Sequence, residues 1–180
     1  MTALVAPTTD RYPEWAEMVA EFEPGQMHGS GLVEARCDAP SAAELERLVR
    51  RFARYADPAA TLPSGKVHCD YRWIADAGLI GFIAIRHTLN DFLLDVGGHI
   101  GYSVRPSRRR QGHATRALAL ALDRAGELGL SRVLVTCDVD NAASAAVIEA
   151  NGGLLEDVRD NSALGSGLGL TRRYWIAVTG

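Results

Sequence analysis

The residues best suited to chemistry in this chain stand close together. Arg108, Arg109 and Arg110 run into Gln111-Gly112-His113-Ala114-Thr115, and His99 and Tyr102 lie just upstream. The stretch His99–Val104 is apolar enough for a strand. The alanine- and leucine-rich segment after it, from about residue 111 to residue 128, has helical spacing. Leu118, Ala121, Leu122, Ala125 and Leu128 share one face of it. A helix N-terminus carries unpaired N–H groups and a partial positive charge, and a glycine there lets a ligand approach the backbone. Such a corner suits a phosphate or pyrophosphate. A solvated basic loop that caps a helix is the other reading of the same residues.

The elements that must position this corner follow in chain order. Residues 1–10 read as a loose tail. Arg11–Phe22 reads as a short helix with Pro13 in its first turn, ended by Pro24-Gly25. Met27-His28-Gly29-Ser30-Gly31 reads as a turn-rich loop. Ser41 and Glu44 have the spacing of a capping box. The helix they open carries Leu45, Leu48, Val49 and Phe52 on one face and Arg47, Arg50, Arg51 and Arg54 on a solvated one. Val67–Ala75 and Leu79–Thr88 read as a hairpin about Asp76-Ala77-Gly78, and Asn90-Asp91 as a turn. Gly129 closes the long helix before a β-branched strand over Arg132–Cys137. The unit from His99 to Cys137 is then strand, helix, strand, with the two strands parallel. A shorter helix from Asn141 to Ala150 and two strands, Leu154–Arg159 and Leu170–Val178, complete the chain.

The bulk numbers exclude several classes. Hydrophobic residues make up 47% of the 180, and the net charge is −3 from 19 basic and 22 acidic side chains. A general nucleic-acid binder would be basic. Cys37, Cys69 and Cys137 lack CxxC spacing, so they read as reduced thiols of a cytoplasmic protein. His68, His99 and His113 have no metal-ligand spacing, and no metal is expected. No apolar run approaches the roughly 20 residues of a membrane span.

The motif Arg109-Arg110-Gln111-Gly112-His113-Ala114 resembles the Arg/Gln-x-x-Gly-x-Gly/Ala signature of the GNAT superfamily of acyl-CoA-dependent N-acyltransferases. Gly98-His99-Ile100-Gly101-Tyr102-Ser103-Val104 before it is similar to that family's fourth strand, and Asn141-Ala142-Ala143-Ser144 to the start of its later helix. The His28-Gly29-Ser30-Gly31 loop together with Gly97–Tyr102 resembles a branch of predicted bacterial acetyltransferases. The resemblance implies an α/β (α+β) fold. Its mixed, mostly antiparallel central sheet would have about six or seven strands, a parallel pair of fourth and fifth strands, and flanking helices, all in one domain over residues 1–180.

It also implies roles. Acetyl-CoA would be the acyl donor, without a metal. Arg109, Arg110, Gln111, Gly112, His113, Ala114 and Thr115 would hold its pyrophosphate by their backbone N–H groups. Tyr102, Ser103 and Val104 would pair with the pantetheine arm, and a strand N–H near Tyr102 would polarise the thioester carbonyl. Asn141 and Ser144 would touch the donor from the other side. The acceptor would be a primary amine of a small molecule or a protein, and a homodimer is an assembly common to such folds. Many members carry a glutamate base on the fourth strand; His99 takes that place here, either as base or as a hydrogen-bonded sheet histidine. The family's thiolate-protonating tyrosine is replaced by Ile148, with Tyr174 a candidate substitute. His28, Asn90 and Asp91 are substrate candidates, as is His87. Glu21 and Glu23 are candidate cation holders, or solvated helix-end charges. Cys137 is read as a buried thiol rather than an acyl carrier. A non-catalytic acyl-CoA-binding domain is the competing function.

Overall fold

The computed structural model describes residues 1–23, 25–32, 40–165 and 167–178. In chain order the elements are β1 (Ala3–Val5), α1 (Tyr12–Ala20), α2 (Ala42–Ala56), β2 (Cys69–Ala75), β3 (Leu79–Arg86), α3 (Asp91–Asp95), β4 (Ile100–Val104), α4 (His113–Glu127), β5 (Arg132–Asp138), α5 (Ala142–Ala150), β6 (Leu154–Asp160) and β7 (Leu170–Ala177). Short 3-10 turns precede α1, follow β4 and precede β7. The fold is mixed α+β, with antiparallel sheets and flanking helices. Cys37 and the rest of 33–39 lie outside the described residues, as does Pro24.

Local chemistry accounts for most of these boundaries. Ser41 caps α2, its Oγ accepting from the Glu44 N–H at 3.2 Å. Trp15, Met18, Leu45, Leu48 and Phe52 pack with Trp73 and Phe82 in one core. Ala117, Leu118, Ala121 and Ala125 of α4 meet Ile83, Ile85, Ile100, Val133 and Val135 in a second core. Period-2 alternation in β3 is hidden because both of its faces are covered. Gly129 leaves α4 at φ +81°, as a C-terminal glycine should.

Two features depart from the sequence reading. The expected turn at Asn90-Asp91 instead opens a short helix, α3, with Asn90 as its cap. The expected loose tail carries β1, which pairs antiparallel with β2 through Ala3↔Ala75 and Val5↔Trp73; three residues are too short for a periodic signal. Between the fourth and fifth strands no continuous ladder forms among the described residues. One sheet runs β1-β2-β3-β4 and the other β5-β7-β6. The two meet where the His99 N–H donates to the Leu134 carbonyl at 2.7 Å. Gly97 and Gly98, at φ +100° and +58°, turn the chain tightly against β5 at that point. No ladder continues from there, so the edge of β4 that faces β5 is left open. Among the described residues, no helix is long and apolar enough to cross a membrane.

Candidate active site

The corner after β4 is held by carboxylates from distant segments. Glu21 accepts from the Ser107 N–H at 3.2 Å and the Ser107 hydroxyl at 2.7 Å, and pairs with Arg105. Arg105 also reaches Glu17 at 2.8 Å. The Arg105 bond, outweighing partial burial, holds the Glu21 carboxyl far down, at about 2. Glu21 is thus a tether of the corner. Arg108 pairs with Asp76 of the β2–β3 turn at 2.8 Å. It also donates to His113 Nε2 at 3.3 Å, which leaves the His113 ring proton on Nδ1, facing Thr2 Oγ1 at 2.9 Å. Arg109 spends its guanidinium on the Val104 carbonyl at 3.0 Å and Gln26 at 3.1 Å. Arg110 is exposed and has φ +60°, a left-handed conformation rare for a residue with a Cβ.

Two left-handed residues, Arg110 and Gly112, bend the backbone into the first turn of α4. The first N–H in the corner to find a helical acceptor is Arg116, on the Gly112 carbonyl at 3.1 Å. Among the described residues, the N–H groups of Arg110 through Thr115 have no acceptor. Six donors around a left-handed bend, at the positive end of a 15-residue helix, form an anion cradle. A CoA pyrophosphate fits this donor set.

A cleft of about 800 Å³ leads away from the cradle. It is lined by Arg108–Arg110 and Gly112–Thr115 at one end, by Tyr102, Ser103 and Val104 of β4, by Asn141, Ala143, Ser144 and Val147 of α5, and by Gln26 and His28 opposite. In β4 the bonds Arg86 N–H to His99 carbonyl and Arg105 N–H to Ile80 carbonyl fix which residues face β3. By alternation, Tyr102 turns its own N–H and carbonyl toward the open gap. The Tyr102 hydroxyl lies 2.9 Å from Ser144 Oγ, and burial pushes its pKa up to about 12. Asn141 caps α5, accepting from the Ser144 N–H at 3.0 Å. The Ser103 hydroxyl donates to the His28 carbonyl at 2.9 Å, and a Cβ at Gly29 would strike the Gly101 carbonyl. The loop that carries His28 is therefore pressed onto β4.

Several sequence-selected residues lie elsewhere. His99 does not line the cleft. It is 7% exposed, and its Nδ1 accepts from the Leu134 N–H at 2.9 Å. Burial, helped by Arg86, pushes its pKa down to about 4. Asn90 caps α3 and donates to the Gly65 carbonyl at 2.9 Å; Asp91 opens α3 on the surface. Neither reaches the cleft. His87 sits 3.0 Å from the buried Asp70, which also holds Arg124 of α4 at 2.7 Å. Tyr174 donates to Glu149 at 3.1 Å and Ile148 is core. The Cys137 thiol is raised by burial. The partners that fix the corner, Glu17, Glu21, Asp76 and Gln26, are 30 to 90 residues away in sequence, which no local pattern could reveal.

Known structures share this arrangement of elements. A probable acetyltransferase superposes with a TM-score of 0.72 at 21% identity, covering 98% of this chain and 92% of that one. The ribosomal-protein α-N-acetyltransferase RimL, solved with coenzyme A, gives 0.71 at 18% identity over 98% and 94%. The microcin self-immunity acetyltransferase MccE, solved with acetyl-CoA and AMP, gives 0.69 at 15% over 98% and 92%. At these identities the likeness is one of fold. No curated protein matches the sequence itself. The sequence does match the acetyltransferase (GNAT) domain over residues 3–153, most of its length, and the chain belongs to that family.

Proposed function

We propose that this protein transfers an acetyl group from acetyl-CoA to a primary amine by direct attack in a ternary complex. The observation that carries this reading is the set of six unpaired N–H groups at residues 110–115, opening into a cleft along the free edge of β4. Backbone donors would hold the pyrophosphate. Tyr102 N–H, turned into the gap, would receive the charge that develops on the thioester oxygen. The Tyr102–Ser144 hydroxyl pair stands at the cleft wall, where the leaving sulfur would pass. With its pKa raised to about 12, Tyr102 stays protonated and would give the leaving sulfur a hydrogen bond rather than its proton. A thiol of parent pKa about 8.5 leaves as the thiolate without a proton donor. Asn141 would hold Ser144 in place by its cap. Among the described residues, the lining contains no carboxylate. The amine would therefore lose its proton to water or to His28, and His99 would act as a clamp between β4 and β5.

The acceptor class follows the relatives only loosely. RimL acts on a ribosomal-protein α-amine, and a protein or small-molecule amine suits this cleft. A non-catalytic acyl-CoA-binding domain is the second reading, favoured by the carboxylate-free lining. Thiol release from acetyl-CoA over a panel of amines separates the two: tight CoA binding with no release on any amine would support the second.

The cradle makes a specific prediction for binding. Gly112 has open space around it but sits at φ +78°. A β-branched side chain there costs on the order of 1–2 kcal/mol in the left-handed region; the free loop sheds that strain by relaxing out of the cradle geometry and the anion-bound loop cannot, which is about tenfold in affinity. Gly112→Val should therefore weaken CoA binding about tenfold by calorimetry. Arg108→Ala should change it less than threefold, because Arg108 is already committed to Asp76. The reverse order would mean that side-chain charge, not backbone, holds the anion.

A further inference from the structure

Arg86 ends β3 half-buried, and the proposed chemistry does not use it. Its Nη1 donates to the Gly97 and Gly98 carbonyls at 3.0 and 2.9 Å. Among the described residues, Nε and Nη2 have no partner and no carboxylate lies within ion-pair distance of Arg86. Among the described residues, the sealed side-chain nitrogens that lack partners are Arg105 Nε and Trp175 Nε1, so the free edge of Arg86 is reached by solvent. A half-buried guanidinium with one edge in solvent can take a carboxylate there without giving up its bonds to Gly97 and Gly98.

Arg86 is not in the cleft lining itself, but its place beside β4 makes the free edge informative. A Cβ built on Gly101 would lie 3.8 Å from both Nη1 and Nη2 of Arg86, and 3.6 Å from the Gly29 N–H. Arg86 thus covers the side-chain-free face of β4, one residue before Tyr102 and beside the loop that carries His28. Where an amine-selecting site would be expected to place a carboxylate, this face offers a cation and an N–H. The unused Nε/Nη2 edge is the one that takes a carboxylate side-on with two parallel hydrogen bonds.

We infer that Arg86 anchors a carboxylate of the acceptor, so that the substrate class is a small amino acid carrying its carboxylate a few bonds from the reacting nitrogen. The inference rests on the acetyltransferase reading for the reaction, but not for the binding. Glycine, β-alanine and 4-aminobutyrate, each beside its own carboxamide, and 1,3-diaminopropane are titrated calorimetrically into the protein–CoA complex. Each is then assayed for thiol release with acetyl-CoA. At least one acid should bind about 10- to 100-fold more tightly than its carboxamide. Arg86→Gln should bring that acid to the carboxamide's level while CoA affinity holds, and Arg86→Lys should restore part of the preference. Melting temperatures show whether the two variants keep the Gly97–Gly98 turn. Equal or better binding of the carboxamides or the diamine, a preference that survives Arg86→Gln, or no Arg86-dependent binding of any acid overturns the inference. Arg86-dependent binding without acetylation leaves it standing and removes the proposed reaction. Acetylation of carboxamides and diamine alone does the opposite.

Discussion

Replacing Gly98 by alanine should destabilise the protein by about 3–4 kcal/mol and lower its melting temperature by about 10 °C. The added Cβ would run into the Leu134 carbonyl oxygen and stand 2.9 Å from its carbon, both backbone atoms that cannot yield cheaply. Gly98 also sits at φ +58°, where alanine costs on the order of 1 kcal/mol. Relief requires moving β4 away from β5. That breaks the bond from His99 N–H to the Leu134 carbonyl and the bond from Leu134 N–H to His99 Nδ1, and it strands buried polar groups. Gly97→Ala is the matched control. Its Cβ would meet only the Leu93 and Arg86 side chains, at 3.4 and 3.7 Å, so its cost should stay near the backbone term alone. Because this junction is where the β4–β5 gap begins, Gly98→Ala should also reduce turnover while the cradle at residues 110–115 still binds CoA. Equal melting temperatures for the two variants would refute the argument.

The junction also marks the limit of what the sequence could reveal. The cradle was legible because strand, basic turn, glycine and helix are local, and the family motif at residues 109–114 shares five residues with it. The elements were legible where one face is apolar and one polar, as in α2 and α4, and where capping chemistry is local, as at Ser41. What was not legible depends on segments that meet only after folding. Composition shows three consecutive arginines; the fold neutralises Arg108 with Asp76, occupies Arg109 with Val104 and Gln26, and leaves Arg110 exposed. The His87 and Asn90 side chains look available in sequence, yet each is committed to a structural partner, Asp70 and Gly65 respectively. Conversely, Arg86 reads as an unremarkable strand end until Gly97, Gly98 and Gly101 are seen to surround it.

His99 shows most directly how position decides chemistry. Its Nδ1 is the acceptor for the Leu134 N–H, so the neutral ring must carry its proton on Nε2. The one lone pair that a base would use is already engaged. Protonation would break that bond inside the protein, and burial with Arg86 nearby pushes the pKa to about 4. The unfolded value is about 6.5, so the unfolded chain takes up a proton on His99 through the window from pH 6.5 to 4 while the folded chain does not. The sign follows: this contribution is fully present above pH 6.5 and is lost as pH falls toward 4. At about 1.4 kcal/mol per pKa unit it amounts to roughly 3 kcal/mol. Denaturant unfolding of the wild type from pH 7.5 to 4 should show that loss. His99→Asn should be flatter across the same window, since its amide oxygen can accept from Leu134 without titrating. His99→Ala should be less stable than His99→Asn at pH 7.5 by about 1–3 kcal/mol, the cost of a stranded N–H. If His99 is a clamp, the acid limb of kcat/KM should follow the acceptor amine and stay unchanged in His99→Asn. A limb that disappears in that variant, with stability intact, would return His99 to the role of general base.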